Sequence, residues 1–169
     1  MSKKKMNTGK DGALDKRGEV LPELSKHASV LEYEKLLKVE PPDFSKKAPG
    51  SVFWTNIAYF LTNQATSMQY RTFETTGKEK LSKNCGILTV CWHTNGLMDV
   101  APIMIHHPSY LVIGGRHDLV NHSILGFWAR RMAVQPVVRQ AELMRGGCTE
   151  EEAKYLNGRS LIRLSKGIS

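Results

Sequence analysis

A histidine and an aspartate lie six residues apart in the stretch from Cys91 to Asp99, which reads CWHTNGLMD. A carboxylate that hydrogen-bonds an imidazole fixes its tautomer and stabilises the imidazolium, so His93 could act as a general base on a hydroxyl group, oriented by Asp99. On one continuous helix these side chains would point about 240° apart. Asn95-Gly96 predicts a turn that would bring them together. The alternative is a histidine at a strand end that only satisfies backbone groups.

The flanking segments predict a sheet that holds this corner. Strands are predicted at residues 86–91, 110–113 and 134–138, and helices at residues 97–105 and 119–132. Such alternation predicts an α/β fold, an open sheet with covering helices. Ligands of these sheets bind at the carboxyl ends of the strands, and His93, Arg116 and Arg139 each follow a predicted strand.

The two arginines are candidates for holding an anion. A guanidinium can donate forked hydrogen bonds to a phosphate, and both Arg116 and Arg139 stand where a ligand of an α/β sheet would bind. The alternative for each arginine alone is an ordinary surface residue. The dispersed basic residues show neither a basic stripe with interleaved aromatics nor an RNA-recognition signature, which argues against nucleic acid as a partner.

The chain before the predicted sheet divides into two parts. Residues 1–50 are predicted as a flexible basic tail, poor in large apolar side chains up to about residue 18, followed by a short amphipathic helix at residues 23–39. Residues 51–68 are rich in aromatics and predict an amphipathic helix that lies either in a membrane interface or in the core. Residues 69–169 form the third unit, which opens on a predicted strand at residues 69–75.

Composition limits the classes of protein. A chain of 169 residues with 41% apolar content can bury a core, and its net charge of +8 favours anionic partners such as a membrane surface or a phosphorylated small molecule. Its three cysteines lack paired spacing, so neither a disulfide framework nor a cysteine-rich zinc site is indicated, and a reducing intracellular compartment is expected. No apolar run reaches the roughly 18 to 20 residues that cross a bilayer.

A cluster of histidines raises the alternative of a metal site. The residues concerned are His106, His107, His117, Asp118 and His122. Adjacent histidines point in different directions, and the spacing of known metal motifs is missing, so no metal ligand is assigned. A pair of histidines that ends a helix before Pro108 explains the first two more simply.

The stretch HTNGLMDVAP, from His93 to Pro102, resembles the signature block of the PlsC-like glycerol-3-phosphate and lysophosphatidate acyltransferases. Five residues separate His93 from Asp99, as in the branch of the family whose motif reads like HPNSLLDP. The stretch from Arg116 to Arg139 resembles the second block of the family, in which a helix leads to a strand and a phosphate-contacting arginine. Ala133 stands where that block usually has Gly. The likeness covers approximately residues 70–139.

The resemblance implies transfer of a fatty acyl group from acyl-CoA or acyl carrier protein to a hydroxyl of a glycerol phosphate acceptor in phospholipid synthesis. His93 would deprotonate the hydroxyl and Asp99 would orient His93. Arg139, with Arg116, would bind the phosphate, and the turn residues Asn95 and Gly96 would also line the substrate site. No cofactor is implied beyond the acyl donor, which is a co-substrate. The expected location is the cytoplasmic face of a membrane, on its periphery.

The third block of the family, an apolar strand that ends in a Phe-Pro-Glu-Gly-like turn, does not follow Arg139. We therefore expect an acyltransferase-like fold that is incomplete at the C-terminus, as in the N-terminal part of a longer enzyme. Two other hypotheses stay open. One is a noncatalytic membrane or phosphate-binding module that uses the aromatic helix and the basic tail, and the other is a metal-dependent hydrolase that uses the histidines.

Overall fold

The computed structural model describes residues 4–5, 14, 17–18, 20, 30–72, 74–80, 86–89, 96–145 and 147–167. Within them the helices are α1 (Tyr33–Leu37), α2 (Val52–Gln69), α3 (Gly96–His106), α4 (His117–Asn121), α5 (Ser123–Arg131), α6 (Gln140–Met144) and α7 (Glu150–Ser165), with a 3-10 turn at Lys78–Lys80. The strands are β1 (Lys4–Lys5), β2 (Val30–Leu31), β3 (Gly114–Arg116) and β4 (Gln135–Val137). The fold is mixed α/β.

A short parallel sheet lies at the centre of the fold. Strands β3 and β4 pair in parallel, with Gly114 opposite Gln135 and Arg116 opposite Val137. Helices α4 and α5 connect the two strands, so the segment from β3 to β4 is one strand-helix-strand unit. The predicted strand at residues 134–138 is confirmed, and the expected open sheet with helices is present as these two strands.

Three predicted strands are wrong in position or in kind. Of the predicted strand at residues 86–91, residues 90 and 91 lie outside the described residues; residues 86–89 belong to no strand, and Leu88 is 74% exposed, so this described part is not a buried strand. The strand predicted at residues 110–113 lies too early in the chain, because the observed strand β3 begins at the next residue and consists of two glycines and an arginine. The predicted run still contacts the sheet, since the Ile113 carbonyl accepts a hydrogen bond from the Gln135 backbone N–H at 2.9 Å. The predicted strand at residues 69–75 fails because α2 continues to Gln69 and the described residues after it are irregular and exposed.

The first 50 residues contain more pairing than their composition indicates. Strand β1 pairs antiparallel with β2, which places Lys4 opposite Leu31, and Leu14 forms an isolated bridge with Val20. Helix α1 has five residues, fewer than the predicted span of 23–39. Leu31 and Leu36 are fully buried, so this region contributes to the core.

Within the described residues, the core consists of two hydrophobic clusters that meet at β4. The first contains Leu31, Leu36, Val39, Val120, Val138, Cys148, Ala153 and Leu156. The second contains Ala58, Met104, Ala129, Met132 and Val134, with Tyr59, Trp128 and neighbouring apolar residues against it. Val134 precedes β4 and Val138 follows it, so the strand joins the two clusters. Burial of these side chains from helices far apart in the chain fixes the position of the sheet.

Helix α7 is attached to β4 by polar side chains from one of its faces. Asn157 receives a hydrogen bond from the Val138 N–H at 2.9 Å and donates one to the Val138 carbonyl at 2.8 Å, which imitates a neighbouring strand. Ser160 donates to the Pro136 carbonyl at 2.7 Å, and Arg163 donates to the Gln135 side chain at 3.1 Å. These residues recur every three positions, so one helical face satisfies polar groups of the strand.

The turn that follows α5 contains a residue in the left-handed conformation. Ala133 has φ of 56°, the one positive φ of a residue other than glycine in the described part of the chain. Its N–H bonds the Arg130 carbonyl at 3.4 Å, and the Val134 N–H bonds the Ala129 carbonyl at 2.9 Å. This is the Schellman arrangement, in which the left-handed position is usually occupied by glycine. Because alanine carries a Cβ, the turn is strained at this residue.

Candidate functional site

Asp99 lies in the first turn of α3 and is partly buried. The predicted turn at Asn95-Gly96 falls where this helix begins, since Gly96 is its first residue. His93 and Asn95 lie outside the described residues. Pro102 is accommodated as the seventh residue of α3, and the helix continues to His106. Of the predicted catalytic pair, the structure therefore describes Asp99, whose carboxylate is carried on helix α3.

Arg116 ends β3 and is held by a carboxylate two residues later. Its Nε donates to Asp118 Oδ1 at 2.8 Å and its Nη2 donates to Oδ2, so the carboxylate engages one edge of the guanidinium. The Arg116 side chain is 44% exposed, whereas Asp118 is mostly buried. Burial pushes the pKa of the Asp118 carboxyl upward, but the hydrogen bonds and charge of Arg116 together outweigh it and hold that pKa below its ordinary value.

Arg139 follows β4 and is held in a similar way by Glu142, in α6. Glu142 Oε1 accepts hydrogen bonds from Nε, at 2.8 Å, and from Nη2 of Arg139, while Oε2 accepts from the Arg139 backbone N–H at 2.8 Å. The carboxylate is fully buried and the arginine side chain is 44% exposed. The buried acid thus fixes both the backbone and the guanidinium of Arg139.

The two arginines stand at the same edge of the sheet. Arg116, the last residue of β3, is paired in register with Val137, and Arg139 lies two residues beyond Val137, so both arginines lie at the carboxyl ends of adjacent parallel strands. The pKa of Arg116 is raised mainly by its hydrogen bonds to Asp118, and Glu142 contributes to the rise. The four side chains therefore form one electrostatic group of two cations and two anions, with the cations toward solvent.

The histidines after residue 100 take part in local structure. His107 Nδ1 contacts the Ser109 carbonyl at 2.9 Å, beyond the helix end at His106, as predicted for a helix-ending pair. His122 Nδ1 accepts from the N–H groups of Ile124 and Leu125 and so caps α5. His117 is fully buried at the start of α4. Nowhere in the described part of the chain do three or more metal-ligating side chains lie together.

Helix α2 exposes a row of large apolar side chains. We call Phe53, Phe60, Leu61 and Met68 the α2 apolar stripe; they are 65%, 61%, 49% and 86% exposed. At 100° per residue these positions fall within about 100° of one another on the helix surface. The 18 residues of α2 include no charged side chain. The opposite side carries Ala58, which packs into the second core cluster.

An aromatic cluster extends this surface at the start of α2. Phe53 contacts Trp54 edge to face, with 5.2 Å between ring centroids, and Trp54 contacts Phe127 of α5 at 5.0 Å. The guanidinium of Arg131 lies 3.7 Å from the Phe127 centroid and 5.2 Å from that of Trp54. A cation stacked on aromatic rings beside exposed apolar residues suits the boundary between water and lipid headgroups.

The carboxylate partners of the arginines were not identified from the sequence. Glu142 lies three residues after Arg139 at the start of a helix, the spacing at which a side chain reaches back to the first residue of a helix. This spacing could have predicted the contact between Glu142 and Arg139. The sequence pattern indicates Asp118 only as a candidate metal ligand, although an acid two residues after a strand-ending arginine is within reach of it.

None of the helices in the described ranges combines the length and apolarity needed to cross a membrane. Comparisons with models of protein families, with curated proteins and with solved structures found no match to the chain.

Proposed function

We propose that this protein is an acyltransferase of glycerophospholipid synthesis, which moves a fatty acyl group from acyl-CoA or acyl carrier protein to a hydroxyl of glycerol-3-phosphate or lysophosphatidate. The observation that carries the proposal is the pair of half-exposed arginines, Arg116 and Arg139, at the carboxyl edge of two parallel strands. This is the position at which α/β sheets bind their ligands. The sequence resemblance described above supplies the reaction.

In the proposed reaction His93 takes the proton from the acceptor hydroxyl as its oxygen attacks the thioester carbonyl carbon. The carbon–sulfur bond then breaks, and the thiol leaves with the proton that His93 had received, so the base is regenerated. Asp99, in the first turn of α3, is the partner that orients the imidazole. No cofactor takes part, because the thioester itself is the activated acyl group.

Arg116 and Arg139 would bind the acceptor phosphate with the parts of their guanidinium groups that the carboxylates do not use. Asp118 and Glu142 engage Nε and Nη2 of each arginine. The Nη1 groups then provide donors for phosphate oxygens. Because the carboxylates fix both side chains before the acceptor arrives, little side-chain entropy is lost on binding.

The backbone at Ala133 supports the resemblance on which the reaction rests. The second block of the family usually has glycine at this position. Here the residue has φ of 56°, a conformation that glycine adopts without strain. The glycine of the family pattern and the left-handed turn of this chain therefore agree, although alanine occupies the site.

A peripheral membrane location, at the cytoplasmic face, belongs to the same proposal. Lysophosphatidate and the acylated product are lipids, so the enzyme must reach an interface. The α2 apolar stripe offers exposed side chains for shallow insertion, and Arg131 with its aromatic neighbours offers a cation at headgroup depth. The net charge of +8 favours anionic lipid surfaces.

The test is an acyl-transfer assay with labelled acyl-CoA or acyl carrier protein and each acceptor, in mixed micelles. We expect His93→Ala to lower kcat by about 100-fold or more, the usual contribution of a general base. Arg139→Lys should raise KM for the phosphorylated acceptor by about tenfold and leave KM for the acyl donor unchanged, because an ammonium cannot reproduce the fork. Arg71→Lys, at an exposed arginine outside the sheet, is the matched control.

Two results would reject the proposal. Transfer undiminished by His93→Ala would remove the role of the base, and equal effects of Arg139→Lys and Arg71→Lys would remove the phosphate site. If no acceptor is acylated, the exposed stripe of α2 favours the second candidate, a noncatalytic membrane-binding module. Sedimentation with anionic liposomes at low and high salt distinguishes it, since binding would persist in an inactive chain and weaken with salt.

A further inference from the structure

Helix α5 presents an outward side that the proposed chemistry does not use. Ile124, Phe127 and Arg131 follow one another at intervals of three and four residues, so they fall within about 60° of one another on the helix surface. We call these three residues the α5 outer face. Ile124 is 67% exposed and Phe127 is partly exposed. Another side of the same helix buries Ala129 in the second core cluster.

The α5 outer face is continuous with the α2 apolar stripe. Phe127 packs edge to face on Trp54, with 5.0 Å between ring centroids, and Trp54 packs in the same way on Phe53 of the stripe at 5.2 Å. Arg131 lies 3.7 Å from the Phe127 centroid. The helices also join where the Ser51 N–H donates to the Arg131 carbonyl at 2.8 Å. One surface therefore extends over both helices.

The charge of this surface fits an anionic lipid bilayer. Neither α2 nor α5 contains an acidic residue, and their charged side chains are Arg130 and Arg131 at the end of α5. Cations beside an apolar surface are typical of helices that lie in the interface of an anionic membrane. An acidic protein partner would suit the arginines but not the uncharged, aromatic length of α2.

The polarity of α2 also indicates an apolar environment outside the stripe. The helix exposes the aromatic and aliphatic side chains of the stripe and buries Thr55 and Thr66, which are 3% and 2% exposed. The hydroxyl groups of both threonines have no hydrogen-bond partner among the described residues. Burial of an unsatisfied hydroxyl costs free energy that exposure to water would avoid. A lipid surface on the outer side favours this orientation of the helix, whereas water favours the reverse.

We propose that α5 is a second membrane anchor, which inserts Ile124 and Phe127 into the same anionic lipid surface as the α2 apolar stripe; this role rests on the membrane location in the proposed function. Arg131, stacked on Phe127, then lies at the depth of the headgroup phosphates. A single inserted helix can roll about its axis. Contact through two joined helices holds the protein in one orientation.

The anchor on α5 brings the candidate phosphate site to the lipid. The His122 N–H donates to the Asp118 carbonyl at 2.9 Å, so the start of α5 lies one helical turn from the acid that holds Arg116. Ile124 is the second residue of α5 and therefore lies close to the carboxyl edge of the sheet. Insertion of Ile124 places this edge beside the headgroups, where a phosphorylated lipid acceptor is within reach.

The test is sedimentation of the full 169-residue chain with vesicles of phosphatidylcholine, with and without phosphatidylglycerol. Ile124→Gln and Phe60→Gln should each weaken binding to the anionic vesicles about tenfold, the effect of withdrawing one large apolar side chain from lipid. Leu161→Gln is the matched control and should leave binding unchanged, because Leu161 is 64% exposed on α7, which packs in the first core cluster. Far-UV circular dichroism verifies that each variant is folded.

A second variant at the same position has the opposite expectation. Ile124→Trp keeps a side chain that favours the membrane interface, so it should bind the anionic vesicles at least as tightly as the native chain. A loss of binding shared by Ile124→Gln and Ile124→Trp would show that the position matters for folding and not for insertion, and would overturn the anchor.

Other results would also overturn it. These are no binding of the native chain, equal binding to vesicles with and without phosphatidylglycerol, equal binding by Ile124→Gln and Leu161→Gln, or a vesicle-free oligomer that Ile124→Gln dissociates, since the last result would assign the surface to a second copy. Failure of the proposed acyltransferase activity is seen separately. Sedimentation needs no reaction, and transfer to water-soluble glycerol-3-phosphate needs no vesicle.

Discussion

Replacing Arg139 by methionine tests whether the buried carboxylate of Glu142 depends on its arginine. In the native protein this carboxylate is fully buried, and among the described residues it accepts three hydrogen bonds, all from Arg139. The variant keeps the bond from the backbone N–H and loses both bonds from the guanidinium, while methionine preserves a long apolar side chain. A buried charge is then left with one donor.

The size of the loss follows from burial. Removing one partner of a buried ion pair costs about 3 to 5 kcal/mol. The Arg139 side chain is 44% exposed, so water already screens part of the native interaction and can partly hydrate the acid in the variant. We therefore expect a smaller loss, with the free energy of unfolding lowered by about 2 to 3 kcal/mol. Arg71→Met, at an exposed arginine, should change it by about 0.5 kcal/mol or less.

Urea denaturation followed by far-UV circular dichroism measures these values. The cycle is completed by Glu142→Gln and by the double variant, which isolates the coupling energy between the two side chains. We expect the double variant to be more stable than the sum of the single losses predicts, because it contains no unpaired buried charge. A coupling energy close to zero, or a loss in Arg139→Met no larger than in Arg71→Met, would show that Glu142 does not rely on the guanidinium.

Two further predictions concern the same region. Ala133→Gly should stabilise the protein by about 0.5 to 1 kcal/mol, because glycine adopts the left-handed conformation of this residue without strain. As a control, Ala129→Gly, four residues earlier inside α5, should destabilise the protein by about 1 kcal/mol. Thermal denaturation of both variants measures these changes, and destabilisation by Ala133→Gly would show that Ala133 is not strained. Because the pKa of Asp118 is lowered in the folded state, the carboxylate contributes its full stabilisation above the unfolded carboxyl pKa of about 3.9, and this contribution is lost as pH falls through the lower folded pKa. Asp118→Asn should therefore cost more stability at pH 6 than at pH 2. Denaturation curves that show the same cost at both pH values would refute this prediction.

The predicted fold was most accurate where periodicity extends over many residues. Helix α2 and the whole of α5 lie in segments with helical spacing, and the run 134–138 contains β4. The strand β3 was misplaced, because its residues are Gly114, Gly115 and Arg116, which have no apolar pattern. It is a strand because it pairs with β4, and pairing with a distant segment is a tertiary effect that local propensity does not encode.

For the candidate site, too, one part was predicted from the sequence and another part was missed. The position of Arg116 and Arg139 after neighbouring strands followed from the alternation of elements, since parallel strands present their carboxyl ends at one edge. The carboxylates that hold the arginines were missed, because hydrophobic periodicity does not reveal which acid is buried. Glu142 is an acidic residue between Ala141 and Leu143, and it becomes fully inaccessible. Its burial depends on how α6 packs, which the local sequence does not specify.

The two ion pairs have a consequence for the kind of anion that the site would select. Arg116 and Arg139 carry two positive charges, and Asp118 and Glu142 cancel them, so the group has little net charge with which to attract an anion from a distance. Affinity must then come from short, directed hydrogen bonds that the fixed guanidinium edges donate. Such bonds suit the oxygens of a planar carboxylate or of a tetrahedral phosphate. Lysine at either position would keep the charge, lose the second bond to the carboxylate and let the donor rotate. Binding at the proposed phosphate site is therefore expected to tolerate salt and to be sensitive to the Arg139→Lys exchange, the opposite of a site that depends on net charge.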